Sequence, residues 1–195
     1  MHIRPATIGD SADLAILDDM AGHGLPSWLG ARAVARGEAG HAFDWLRTGY
    51  AHGDGPANWT NGHVAEIGGE VAGMAVGYPL ADGLDPPAPA EPVLEPVFGL
   101  FGRAAGGWLI DALAVYWPFR KRGIARALLR DQVRRAGGRA THLVVSDDNL
   151  GAIALYESEG FEPVAREAFI AYLTTHTTRD WLLMRRASDQ EGFHG

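Results

Sequence analysis

The stretch Trp108 to Ala136, WLIDALAVYWPFRKRGIARALLRDQVRRA, constrains this chain more than any other. Its first eight residues form an apolar, strand-like run. From Gly123 the apolar residues Leu128, Leu129 and Val133 recur at helical spacing, which predicts a helix over Gly123–Ala136. A second apolar run, Thr141 to Ser146 (THLVVS), follows. Strand, helix and strand so joined form a crossover, expected to be right-handed, with the two strands parallel. Between the first strand and the helix stand Arg120, Lys121 and Arg122. Positive charge at a helix N-terminus is unfavourable by about 0.3–1 kcal/mol per group. Three cations there need a reason.

Charge distribution narrows the reasons. The chain has a net charge of −7, yet residues 120–139 hold eight of its 17 basic side chains and one acid, Asp131. The remainder carries nine basic groups against 23 acidic ones. No broad basic face is left for nucleic acid. One concentrated anion site remains. The backbone N–H groups of the first helical turn already favour an anion, and the three cations deepen that preference. Gly123 would let the backbone approach a bound group, and the small Ala125 keeps the same surface open. Phosphate is the predicted guest. Arg122, Arg126, Arg130 and Arg134 repeat every four residues as a cationic stripe, of which Arg130 and Arg134, with Arg135, read as a solvated face.

The rest of the chain reads as a mixed α/β domain over 1–187, with 188–195 a frayed tail. Ile3–Ala6 is a short strand, and Asp10–Asp13 opens a helix carrying Leu14, Leu17 and Met20. Residues 20–60 are rich in Gly, His and Trp, with helices expected over about 29–36 and 40–50. His63–Tyr78 is a hairpin around Gly68-Gly69. Five prolines within 81–106 predict a long loop. Asn149–Glu157 is a helix ended by Gly160, and 161–165 and 181–185 are closing strands. The chain has no cysteine, which excludes disulfides and thiolate metal sites and fits a reducing cytoplasm. No apolar run is long enough to span a membrane. His23, His41, His52 and His63 show no metal-binding spacing, so no metal is expected. Trp28, Trp45 and Trp59 read first as core.

Neither a P-loop nor a Gly-x-Gly-x-x-Gly fingerprint is present. Instead, Arg120-x-x-Gly123-x-Ala125 after the strand Leu113-Ala114-Val115 resembles the pyrophosphate loop of the GNAT superfamily of acyl-CoA-dependent N-acyltransferases. A second stretch, Asn149-x-x-Ala152-x-x-Leu155-Tyr156-x-x-x-Gly160-Phe161, resembles that family's downstream helix. Asn149, Ala152, Ile153 and Tyr156 share one helical face. The resemblance is specific over 108–161.

It implies a fold and a chemistry. The fold is a mixed, mostly antiparallel central sheet with one splayed parallel strand pair, flanked by helices. The co-substrate is acetyl-CoA (coenzyme A). Leu113, Ala114 and Val115 would hold its pantetheine arm, and Arg120, Lys121, Arg122, Gly123, Ile124, Ala125 and Arg126 its pyrophosphate, with Asn149 and Tyr156 on the downstream helix. A backbone N–H near Val115 would stabilise the developing oxyanion. Tyr156, with an ordinary pKa of about 10 against about 8.5 for a thiol, would protonate the departing thiolate. The alternative for Tyr156 is a core aromatic. An acceptor amine must lose a proton, and Asp111, which interrupts an apolar strand on the face of Leu113 and Val115, is the first base candidate. A structural ion pair is its equal alternative, and Glu66 is a second choice of base. The implied activity is acetyl transfer to a small-molecule amine, with 20–60 facing the acceptor. Peptide N-termini or lysines are an alternative acceptor class, and a non-catalytic acyl-CoA sensor an alternative of another kind. Relatives of this kind are commonly dimers, so a homodimer is also an expectation.

Overall fold

Two glycines set the register of the first strands. Gly68 and Gly69 have φ of +64° and +86°, the left-handed pair that a two-residue hairpin demands. They join β2 (Gly62–Ile67) to β3 (Glu70–Pro79) in an antiparallel pair, and β1 (His2–Pro5) pairs antiparallel with β2. The computed structural model describes residues 1–86, 88–174 and 177–188. Its further strands are β4 (Trp108–Val115), β5 (Thr141–Ser146), β6 (Glu162–Ala168) and β7 (Asp180–Arg186). The sheet order is β1-β2-β3-β4-β5-β7-β6. β4 and β5 pair in parallel, Trp108 against Thr141 and Ile110 against Leu143. β7 pairs antiparallel with both β5 and β6. This is the expected mixed, mostly antiparallel sheet with one parallel pair.

Helices fill the connections. α1 (Ser11–Ala21), α2 (Leu25–Ala35) and α3 (Ala42–His52) lie between β1 and β2. α4 (Glu95–Arg103) lies between β3 and β4, α5 (Ile124–Arg135) between β4 and β5, and α6 (Leu150–Ser158) between β5 and β6. The loop expected over 81–106 therefore needs correction in its second half. Pro92 opens a 3₁₀ turn, Pro92–Leu94, and Pro96 sits in the first turn of α4. A proline there gives up no hydrogen bond, because first-turn N–H groups have no helical acceptor. These prolines mark a helix start. The predicted tail, apart from Ser188, lies outside the described residues.

The chain divides into two compact units, Met1–Gly77 with Asp111–Gln132, and Tyr78–Ile110 with the chain from Val133 onward. In the first, Ala65, Ala72 and Ala75 of the hairpin pack with Val115, Ile124 and Leu128. Small residues on the strands let α5 lie close, and Leu113, Phe119 and Ala125 pack at the margin. Fully burying a side chain such as Leu128 contributes roughly 1.5–3 kcal/mol. Gly73 is fixed by contact: a Cβ there would stand 2.7 Å from the Ala114 carbonyl oxygen and 3.1 Å from Val115 Cα. In the second unit Leu100, Ala104, Trp181 and Leu183 form a core with Leu80, Val97, Val144, Ala165 and Phe169.

Candidate active site

In the first unit the site grows out of the end of β4. Tyr116 donates its backbone N–H to the Ala72 carbonyl at 2.9 Å. Its hydroxyl donates to Asp13 Oδ1 of α1 at 2.7 Å. Burial and that carboxylate push the phenol well above its ordinary range. Trp117–Phe119 is a 3₁₀ turn with Pro118 in it. Arg120 turns back and donates Nε to the Val115 carbonyl at 3.0 Å. Its guanidinium lies 5.3 Å from the Trp117 ring centre, and that of Arg122 lies 5.7 Å from the ring of Phe119.

The turn then reverses through two left-handed residues, Lys121 at φ +61° and Gly123 at φ +79°. For Gly123 this conformation costs little, and a Cβ there would meet open space. Conformation rather than crowding calls for glycine at 123. For Lys121 the same region costs about 1–2 kcal/mol. Strain of this kind concentrates where a turn must present its groups in a set geometry. Arg120, Lys121, Arg122, Gly123 and Arg126 are exposed, Ala125 is half-buried, and Ile124, Leu128 and Leu129 anchor α5 below them. Arg130, Arg134 and Arg135 are also exposed, as the solvated-face reading expects. Positive charge, first-turn N–H groups and an apolar floor thus meet at one place.

Carboxylates gather in the same unit. Asp111 is half-buried on β4. Its negative charge bears on Asp18 of α1, and the Tyr50 hydroxyl of α3 donates to the Asp18 carboxylate. Enclosure by protein, then the charges of Asp111 and Asp19, push Asp18 up to about 7, while the bond from Tyr50 opposes them. Asp18 keeps some accessible surface, so the enclosed carboxylate still meets solvent. A carboxyl poised near neutrality is suited to taking up a proton at physiological pH. Asp18 escaped the sequence reading, although it stands four residues after Leu14 and therefore on the buried face of α1. Glu66, the second base candidate, is instead held by Arg4, whose Nε donates to Oε2 at 2.9 Å. Arg4 also grips Asp10, Nη1 to Oδ2 at 2.8 Å. It holds that carboxyl at about 2, helped by the Thr7 backbone.

In the second unit Asn149 caps α6, its side chain accepting from Ala152 N–H at 3.2 Å. Asp148 accepts from the hydroxyls of Thr177 and Thr178, and Asp147 from Arg179 N–H, which pins the segment ahead of the cap. Tyr156 follows seven residues after Asn149 and is buried, its ring 6.1 Å from that of Phe161. Burial pushes its phenol up to about 12. It holds its proton through the physiological range.

The histidines do other work. His41 caps α3 by accepting from Phe43 N–H at 3.3 Å, and buried His63 faces Gln132 at 3.5 Å. Among the described residues no group of three His, Asp or Glu could hold a metal ion, and no helix is long and apolar enough to cross a membrane. Trp28, Trp45 and Trp59 are half-buried rather than core.

The fold agrees with comparison to known proteins. Residues 15–161 match the acetyltransferase (GNAT) family, and the chain belongs to it. Solved structures share the fold. One is an acetyltransferase, 24% identical, with a TM-score of 0.64 over 97% of this chain and 100% of that one. Another is the ribosomal-protein-S18-alanine N-acetyltransferase from Escherichia coli, 20% identical, with a TM-score of 0.59 over 95% of this chain and 92% of that one. A third is YncA from Salmonella typhimurium with its cofactor acetyl-CoA, 19% identical, with a TM-score of 0.60 over 97% and 94%. No curated protein matches the sequence.

Proposed function

We propose that this acetyltransferase-family chain moves an acetyl group from acetyl-CoA to the primary amine of a small molecule by direct attack. The observation that carries this reading is the turn Arg120–Gly123, where exposed cations surround the N-terminus of α5 in a strained, left-handed reversal. Such a turn suits a diphosphate through charge-assisted hydrogen bonds from side chains and backbone. Leu113, Ala114 and Val115 offer strand backbone to the pantetheine arm, and a backbone N–H near Val115 the oxyanion contact.

The acceptor arrives as an ammonium ion, since an alkylamine has a pKa of about 10.4. Asp18 and Asp111 supply the carboxylates that accept its proton, directly or through water. The free amine attacks the thioester carbonyl carbon; an N–C bond forms and the C–S bond breaks. The thiolate takes a proton from Tyr156, and the second amine proton restores the phenol. A dry phenol with a pKa near 12 is a weaker acid than a free thiol. The transfer therefore runs downhill only where the thiolate is itself poorly solvated, as a buried leaving group is.

An amine panel tests the proposal: acetyl-CoA with polyamines, amino sugars, amino acids and peptides, read by release of free thiol. Turnover with small amines is expected. Turnover with peptides alone would move the acceptor to the protein class. Binding of acetyl-CoA with no turnover across the panel would favour a sensor.

A further inference from the structure

The cationic turn contains two aromatic–guanidinium pairs of different construction. Phe119 is half-buried, packs against the core of Val115, Ile124 and Leu128, and carries Arg122 on its ring. Its place is explained by packing. Trp117 is 77% exposed, more than any other large apolar side chain described. It is nevertheless held. Pro118 fixes the backbone beside it, and Arg120 lies over its ring at 5.3 Å while anchored to the Val115 carbonyl. One face of the indole is thus covered by a cation and the rest is open to solvent. A large aromatic presented in a fixed orientation is costly in water and useful as a stacking surface.

Resting on the acyl-CoA reading above, we propose that Trp117 is the platform on which the purine ring of the donor's nucleotide half stacks, and so the residue that selects a nucleotide-bearing donor. The occupant follows from position. Trp117 precedes by three residues the arginine whose guanidinium it carries, beside the turn suited to a diphosphate. A diphosphate held there brings its own nucleoside within a few bonds. A purine offers a flat π-face to an indole, and such stacking needs no hydrogen-bond readout. Arg120 then serves both parts, polarising the indole from one side and facing the phosphates.

Equilibrium binding separates the two halves of the donor. For Trp117→Ala, affinity for acetyl-CoA and for 3′-phospho-ADP should fall roughly 5- to 150-fold, the range of one lost aromatic–base stack. Affinity for S-acetyl-4′-phosphopantetheine, which lacks the nucleoside, should stay near that of the unaltered protein. Trp117→Tyr should recover most of the loss. Quenching of tryptophan fluorescence by 3′-phospho-ADP should disappear in Trp117→Phe. Equal weakening toward the truncated donor, or unchanged affinity of Trp117→Ala for 3′-phospho-ADP, would overturn the platform. These measurements need no turnover. Loss of nucleotide affinity in Trp117→Ala together with an inactive amine panel would leave the platform standing while removing the transferase reading. An unaltered protein that binds no 3′-phospho-ADP would remove both.

Discussion

The cationic turn and the carboxylates near Asp18 belong to one unit but handle charge in opposite ways. At the turn, Arg120, Lys121 and Arg122 lie open to water, so holding like charges together costs little once an anion is present. Around Asp18 the same protein encloses negative charge, and the price appears as a carboxyl shifted up to about 7. Exposed charge selects and steers a ligand. Enclosed charge is a reservoir whose protonation responds to pH. Tyr156, pushed up by burial alone, follows the enclosed pattern in the second unit.

Removing an enclosed group should have the largest effect. Tyr156→Phe is expected to lower kcat roughly 10²- to 10⁴-fold, the usual worth of a positioned acid, with acetyl-CoA affinity nearly unchanged. An unaltered rate would return Tyr156 to a packing role. The exposed end should respond differently. Arg120→Ala should raise KM for acetyl-CoA about 10- to 100-fold, since hydrogen bonds to charged groups contribute about 1.5–3 kcal/mol, while kcat holds. Moderate salt should reproduce part of that rise in the unaltered protein. A collapse of kcat with KM unchanged would contradict the division of labour.

Two stability measurements sharpen the contrast further. The Asp18 carboxyl titrates near 7 in the native state and near its ordinary 3.8 when unfolded. Between those values the native state holds a proton that the unfolded chain has released, so folding stability falls as pH rises through this window and stays lower above it. Asp18→Asn escapes that loss. It should be more stable than the unaltered protein at pH 8, by up to about 4 kcal/mol, and should gain little at pH 4. Its pH–rate profile should also lose the limb near 7. The smallest effect is expected at the turn, where Lys121→Gly should relieve about 1 kcal/mol of left-handed strain. The melting temperature should rise slightly while acetyl-CoA affinity drops. A fall in melting temperature would mean that the lysine side chain contributes more to stability than the strain removes.

Much of this was legible in the residues. The strand, turn and helix of 108–136 carry their own punctuation, since apolar period, cations and Gly123 change register together. Gly68-Gly69 announced a hairpin, and Asn149 and Gly160 bracketed α6. Proline misled over 95–103, because it is equally at home in a loop and in the first turn of a helix. Asp111 drew notice by interrupting an apolar strand. Asp18 did not, because its partners Tyr50 and Asp111 are remote in sequence and only folding brings them to it. The left-handed Lys121 was equally silent, as nothing in the residue type signals that conformation.

Gly73 has a consequence for anyone reshaping this enzyme. With 2.7 Å between its missing Cβ and the Ala114 carbonyl, no side chain fits there unless backbone yields. The yielding backbone would be that of Ala114 and Val115, the part of β4 from which the turn is launched. Randomised libraries should leave position 73 fixed, since even alanine there would reposition the launch point and blur acceptor and donor phenotypes alike.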